Sequence, residues 1–401
     1  MIIAEKILFL QNLKDKLKAV PNFQLLFLFS LILWCVSLPF DNAIYQVSWV
    51  LLEVLFIFHV LYNKNYKKVY DILKNLKYFL GFFVLICASL CISNILNFEF
   101  LAPKAWHSVV SFVFRYAVVL FVLCYFYKIY EFDYKILIYV CIIASCFMAT
   151  SGLYELVINY QNIIFNDSSQ HGLHGFLRNR NGFGLAMATG FAFIFIYMKN
   201  SLTKNILMAI FVFLIIFSFS RSAWVASSFL VIFYALLNFK NIKKEYVLSA
   251  IFIVLVICAF FFISDSFQHR FTQLTQGESS HRFGIWQYSF EMFLKQPFFG
   301  WGDTFKFVPN APYLLNTNYS APHNMIMELL YTTGIFGFCA FMGLNFYIFL
   351  HLLKTKNIKI LSLFAFFFVI CQFDYGIFST KEILNYIVIL SFIALKDRAI
   401  L

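Results

Sequence analysis

The sequence predicts an all-α polytopic membrane protein of about 12 transmembrane helices with one large extramembrane loop, and three observations predict it. Of 401 residues, 62% are apolar, 21% aromatic and only 12% charged, with a mean hydropathy of +0.79, a composition outside that of soluble globular domains. The apolar residues fall into separate runs, and a helix needs roughly 20 residues to cross a bilayer core, where an open chain can satisfy its backbone only as a helix. Basic residues alternate between the connections: with the amino terminus in the cytoplasm, 21 of the 31 Lys and Arg fall on the cytoplasmic side, as the positive-inside rule requires. That placement explains the excess of 31 Lys and Arg over 19 Asp and Glu without a nucleic-acid partner.

The chain opens on a basic, weakly amphipathic segment with Lys6, Lys14, Lys16 and Lys18. No small-residue cleavage site follows the first apolar run, so that run is expected to stay as an anchor. Spans are expected near 22–39, 43–62, 78–96, 108–127, 136–158, 182–198, 205–219, 222–239, 246–263, 324–353, 359–374 and 382–395. All nine cysteines lie inside apolar runs, which speaks against disulfides and thiolate metal sites. Residues 1–401 read as a single integral membrane domain without an internal repeat, both termini cytoplasmic. The chain ends soon after the last span. Two outer connections are long, 159–181 and 264–323, and long loops are where function concentrates.

The two sides differ in the kind of cation they carry. The cytoplasmic set is 20 Lys and one Arg, whereas the outer set holds six Arg and four Lys. A lysine suffices as a topogenic charge, but the planar fork of arginine suits bidentate phosphate binding. The outer face is therefore read as built for an anion, with lipid phosphates and nearby carboxylates as the plainer partners.

Arg221, in Phe-Ser-Arg-Ser-Ala-Trp, stands at the tip of a hairpin with almost no loop. A charge there is costly unless it is bound or snorkels to the headgroups. The 264–323 loop contains a helix-like piece, Arg282 to Lys295, with Phe283, Trp286, Phe290, Phe293 and Leu294 at helical spacing, Ser279 and Ser280 as caps and Pro297 and Gly300 as stops. It is expected to lie on the bilayer surface or on the bundle, with Arg282 beside unpaired N–H groups of the first turn, a good anion site. His323 immediately precedes a helix, held by it and open to water on one side, which suits a general base as well as a cap.

Other positions carry weaker signals. Arg178 and Arg180 suit phosphate contacts or a solvated loop, and Asp374 and Lys381 flank the last outer turn. His171 and His174 lack further ligands nearby, so no metal site is expected. Glu328 is expected to face water one turn into its helix. Glu53 is a carboxylate within the second span, a functional position by default.

From His323 the chain reads His, Asn324, nine residues, Gly334, two residues, Gly337. This resembles the His-[Asn/Ser/Gln]-x9-Gly-x-x-[Gly/Thr/Tyr] signature of the bacterial O-antigen ligase family. Arg221 after Ser-Phe-Ser, and Arg282 followed by Trp286, Pro297, Gly300 and Gly302, extend the resemblance over about 200–340, within a similar span layout. The resemblance implies a membrane glycosyltransferase, type C-like, with 264–323 as a large periplasmic loop between spans 9 and 10, in the bacterial inner membrane. It implies a donor glycan on undecaprenyl diphosphate and a lipid A-core acceptor, with no cofactor, metal or nucleotide sugar.

On that reading His323 is the base, since a sugar hydroxyl is a poor nucleophile near neutral pH and a positioned base contributes about 10²- to 10⁴-fold. Arg221 and Arg282 stabilise the charge developing on the diphosphate, Arg178 and Arg180 are possible further phosphate contacts, and Asp374 orients His323 or holds the acceptor. Attack opposite the diphosphate inverts the anomeric centre. O-antigen polymerases and protein O-oligosaccharyltransferases share much of this pattern. The latter commonly carry an extra carboxy-terminal region, which favours a ligase or polymerase here. A lipid-linked sugar transporter is the reading from another class, against which stand the lack of repeated halves and the scarcity of midplane charges.

Overall fold

A computed structural model of the protein describes residues 22–40, 43–101, 106–164, 172–177, 179–238, 282–305, 321–378 and 380–400, with Gln268 and Thr272 between them. Among the described residues there is helix and turn and no strand. Helices α1 (Asn22–Ser37) and α2 (Ala43–Asn63) precede α3 (Tyr66–Asn75) and α4 (Lys77–Leu96). The next helix runs as α5 (His107–Val110), a π-helical stretch Ser111–Val118, and α6 (Val119–Tyr130). Then come α7 (Lys135–Ile164), α8 (Arg180–Tyr197), α9 (Leu202–Phe217), α10 (Arg221–Leu237), α11 (Arg282–Lys295), α12 (Met325–Lys354), α13 (Ile358–Ile370) and α14 (Lys381–Ile400).

Most are apolar around their whole circumference, as helices with neighbours on one side and lipid on the other must be. In α1, for example, Phe27, Leu31 and Trp34 are buried while Phe29 is exposed. Eleven of the twelve expected segments contain a helix; the ninth, 246–263, lies outside the described residues, as does about half of 264–323. Five helical stretches are long and apolar enough to cross a membrane, namely α2, α4, α5 through α6, α7 and α12, and α1, α9, α10 and α13 are shorter apolar helices. The protein is a helical membrane protein.

Three features differ from the sequence reading. The stretch between the second and third expected spans is not a loop but the short amphipathic α3, which buries Ile72 and packs on α6 and α14. Arg115 is buried in the π-helical stretch: its Nη2 donates to Gln46 Oε1 at 2.9 Å, and its guanidinium faces the rings of Tyr45 and Trp49.

The third is a break in α12. At Gly334 the backbone turns to φ 61°, ψ −164°, a region open essentially to glycine alone. The segment 297–302 threads across the break and takes the hydrogen bonds the helix gives up: Trp301 N donates to Tyr331 O at 2.6 Å and Gly302 N to Thr332 O at 3.0 Å, while Ile335 N donates to Pro297 O at 2.8 Å. A Cβ on Gly334 would lie 2.4 Å from Phe298 O, and one on Gly300 2.4 Å from Tyr331 O. From the other side α4 anchors the crossing, through Ser89 Oγ to Thr333 O at 2.6 Å and Asn97 Nδ2 to Gly300 O at 3.1 Å. The break thus holds the first part of α12, before Gly334, against the segment 297–302 that follows α11.

Candidate functional site

The site forms where the start of α12 is stitched to the turn 371–378 between α13 and α14. Asn324 caps α12, its Oδ1 accepting from Met327 N at 3.0 Å, which satisfies an otherwise orphaned helix donor. Its Nδ2 reaches Gln372 O at 2.8 Å, and Met325 N donates to Cys371 O at 2.9 Å. His323 is thereby held at φ 53°, a left-handed conformation that costs a non-glycine residue about 1–3 kcal/mol and persists where the surroundings enforce it. Its Nδ1 lies 3.2 Å from the backbone oxygen of Asp374. A carbonyl only accepts, so Nδ1 carries the hydrogen and the basic lone pair falls on Nε2. Trp286 of α11 supports the same corner, Nε1 donating to Pro322 O at 3.1 Å.

The Asp374 carboxylate is the hub for the arginine-bearing helix starts. Oδ1 accepts from Arg282 Nη2 and, at 3.2 Å, from Asn181 Nδ2, and Oδ2 accepts from Ser222 Oγ at 2.8 Å. The side chain of Asp374 is only 4% exposed and that of Arg282 16%. Tyr375 adds a hydrogen bond from its hydroxyl to Asn181 O.

Arg221 and Arg180 are the first residues of α10 and α8. These helices approach closely because Gly184 stands against Ser220, where an added Cβ would come within 2.5 Å. Burial disfavours the charge of Arg180; Asp374 opposes that shift, and Arg221 and Arg282 add to it. The Nη1 of Arg180 is buried with no hydrogen-bond partner among the described residues. Arg282 therefore pairs with the Asp374 carboxylate, Arg180 feels the charges of Asp374, Arg221 and Arg282, and Arg180 and Arg221 open their helices, an arrangement of cations at helix N-termini suited to an anion, with the His323 imidazole held by the Asp374 backbone oxygen.

The structure thus brings His323, Arg282, Asp374, Arg221 and Arg180 together. Arg178, His171, Ser279 and Ser280 lie outside the described residues. Asp374 meets His323 through its backbone oxygen, and its carboxylate serves the arginines. His174 pairs with Glu155, Nε2 to Oε1 at 3.0 Å, and Glu155 also takes the amides of His174 and Gly175, so this histidine staples the 172–177 loop.

Glu328 does not face water: it is 3% exposed and accepts from Phe378 N at 3.0 Å. Asn181, Ser222 and Trp286 contribute contacts that the sequence alone does not reveal. Asn181 and Ser222 each follow a helix-starting arginine by one residue, which was the available signal, but their shared partner lies more than 150 positions along the chain. Glu53 lies part-buried within α2, its Oε1 without a hydrogen-bond partner among the described residues.

Comparison with known proteins gives two findings. Residues 206–342 match the sequence model of a family described as O-antigen ligase. The chain is also 28% identical over 214 residues to a protein of Acinetobacter baylyi (strain ATCC 33305 / BD413 / ADP1) named ComP-specific O-oligosaccharyltransferase, an alignment covering 48% of this chain and 37% of that protein.

Proposed function

From a chain whose residues 206–342 match the O-antigen ligase family model, we propose an O-antigen ligase: a metal-independent, inverting glycosyltransferase that moves a glycan from undecaprenyl diphosphate to a sugar hydroxyl of lipid A-core at the periplasmic face of the bacterial inner membrane. The observation that carries this reading is the hydrogen bond from His323 Nδ1 to the oxygen of Asp374, on the same residue whose carboxylate holds Arg282.

With Nδ1 donating, Nε2 takes the proton of the acceptor hydroxyl as its oxygen bonds to the anomeric carbon. The bond from that carbon to the diphosphate oxygen breaks on the opposite face, and the electron pair leaves with the lipid diphosphate. Arg282 and Arg221 meet the charge that develops there, and such preorganised groups act most strongly where water is excluded. Arg180, whose buried Nη1 has no hydrogen-bond partner among the described residues, suits a further phosphate oxygen.

The test is a lipopolysaccharide gel from a strain lacking the gene, with wild-type and His323→Ala copies returned at matched protein levels. Bare lipid A-core with accumulated lipid-linked polymer, restored to a ladder by wild type alone, supports the ligase. A core bearing a single repeat unit identifies the polymerase instead, and an unchanged ladder removes both.

A second reading, transfer to a protein hydroxyl, draws on the likeness to the A. baylyi O-oligosaccharyltransferase. It is favoured if deletion leaves the ladder intact and removes a glycoprotein band.

A further inference from the structure

We propose that Glu328 is a positioning residue for His323, acting through the turn 374–378; this rests on reading His323 as the base. Glu328 lies one helical turn after the capped start of α12 and is almost fully buried, at 3% exposure. A carboxylate there is costly unless hydrogen-bonded, and Oε2 accepts from the amide of Phe378 at 3.0 Å, a charge-assisted bond of the stronger kind.

The turn also closes on it sterically. A Cβ on Gly376 would lie 2.1–2.3 Å from the carboxyl atoms of Glu328. A side chain there would have to push the carboxylate off its hydrogen bond to Phe378 N. Gly376 is two residues from Asp374 on one side and from Phe378 on the other. The carboxylate therefore fixes the middle and far end of the segment whose near end supplies the oxygen for His323 Nδ1. That oxygen has to stay in place as Nε2 takes a proton and the imidazole becomes charged. Glu328 secures it from beneath while Asn324 and Met325 secure the preceding residues.

The role assigned is that of a hydrogen-bond acceptor of the right length, which glutamine retains and alanine lacks. The experiment uses the full chain reconstituted in lipid nanodiscs as wild type, E328Q, E328A, G376A and H323A. Transfer from a lipid-linked glycan to lipid A-core and hydrogen–deuterium exchange over 371–378 are both measured.

The expected result is a fall in kcat of about 10- to 100-fold in E328A, with E328Q within about threefold of wild type. Exchange over the turn should rise in E328A and not in E328Q. G376A, which presses on the same contact from the other side with Glu328 intact, should lower kcat as E328A does. Wild-type kcat and exchange in E328A, or a loss in E328Q equal to that in E328A, would overturn the proposal. Where E328A does not accumulate as folded protein, E328Q and G376A decide. If wild type transfers nothing to lipid A-core, the functional reading falls; unaltered exchange over the turn in E328A would then remove this inference too.

Discussion

Replacing Asp374 by asparagine preserves shape while removing one negative charge from a site that holds Arg180, Arg221 and Arg282. The carboxylate accepts from three side chains, Arg282, Asn181 and Ser222. An amide has one acceptor oxygen and turns its NH2 toward at least one of those donors. Truncating one partner of a buried ion pair costs about 3–5 kcal/mol, and losing a hydrogen bond to a charged group about 1.5–3 kcal/mol. Arg282 keeps 16% of its side-chain surface in solvent, which brings the cost below the full buried-pair value, to about 2–3 kcal/mol. Expressed wholly in the transition state, this lowers kcat about 30- to 160-fold.

The donor KM is not expected to rise, because the site becomes more positive and the diphosphate is drawn to it. Initial rates over a range of lipid-linked donor concentrations, on reconstituted D374N and wild type at equal protein, read both quantities. A kcat within about threefold of wild type, or a loss carried entirely by KM, would refute the reasoning.

Two further outcomes follow from the same geometry. R282K and R221K keep a point charge and lose the planar fork, so the donor KM should rise by about tenfold, equivalent to about 1.4 kcal/mol, with the larger effect at Arg282, whose fork also engages Asp374; donor titration with each variant checks this. G334A places a Cβ within 2.4 Å of Phe298 O at a positive φ and should cost about 1–3 kcal/mol from backbone strain in addition to the displaced crossing; a lower thermal midpoint in detergent checks it, and an unchanged midpoint would contradict it.

The long apolar helices were legible because a bilayer imposes its thickness on the sequence as uninterrupted apolar runs. The short amphipathic α3 escaped the same reading, since ten residues with Lys67, Lys68 and Lys74 resemble a basic cytoplasmic loop until Ile72 is seen to be buried. At the site, His323, Arg221 and Arg282 stood out because each is a polar residue at an abrupt helix start. What could not be read was anything depending on a distant partner. Gly334 looks like a tolerated glycine within a helix, and only the approach of 297–302 shows that the helix breaks there. Glu328 occupies a first-turn position that suits a solvated acid, and its burial follows from where the 371–378 turn folds back.

The break in α12 also divides labour between lipid and protein. The part after it, 335–354, extends about 30 Å at 1.5 Å per residue, enough by itself to match a hydrocarbon core. The part before it, 325–333, is left with nothing to span, and its direction is set by the 297–302 crossing and the 371–378 turn. His323 thus stands on a short helical pedestal whose direction is set by the segments hydrogen-bonded to it, before the chain enters its long apolar run.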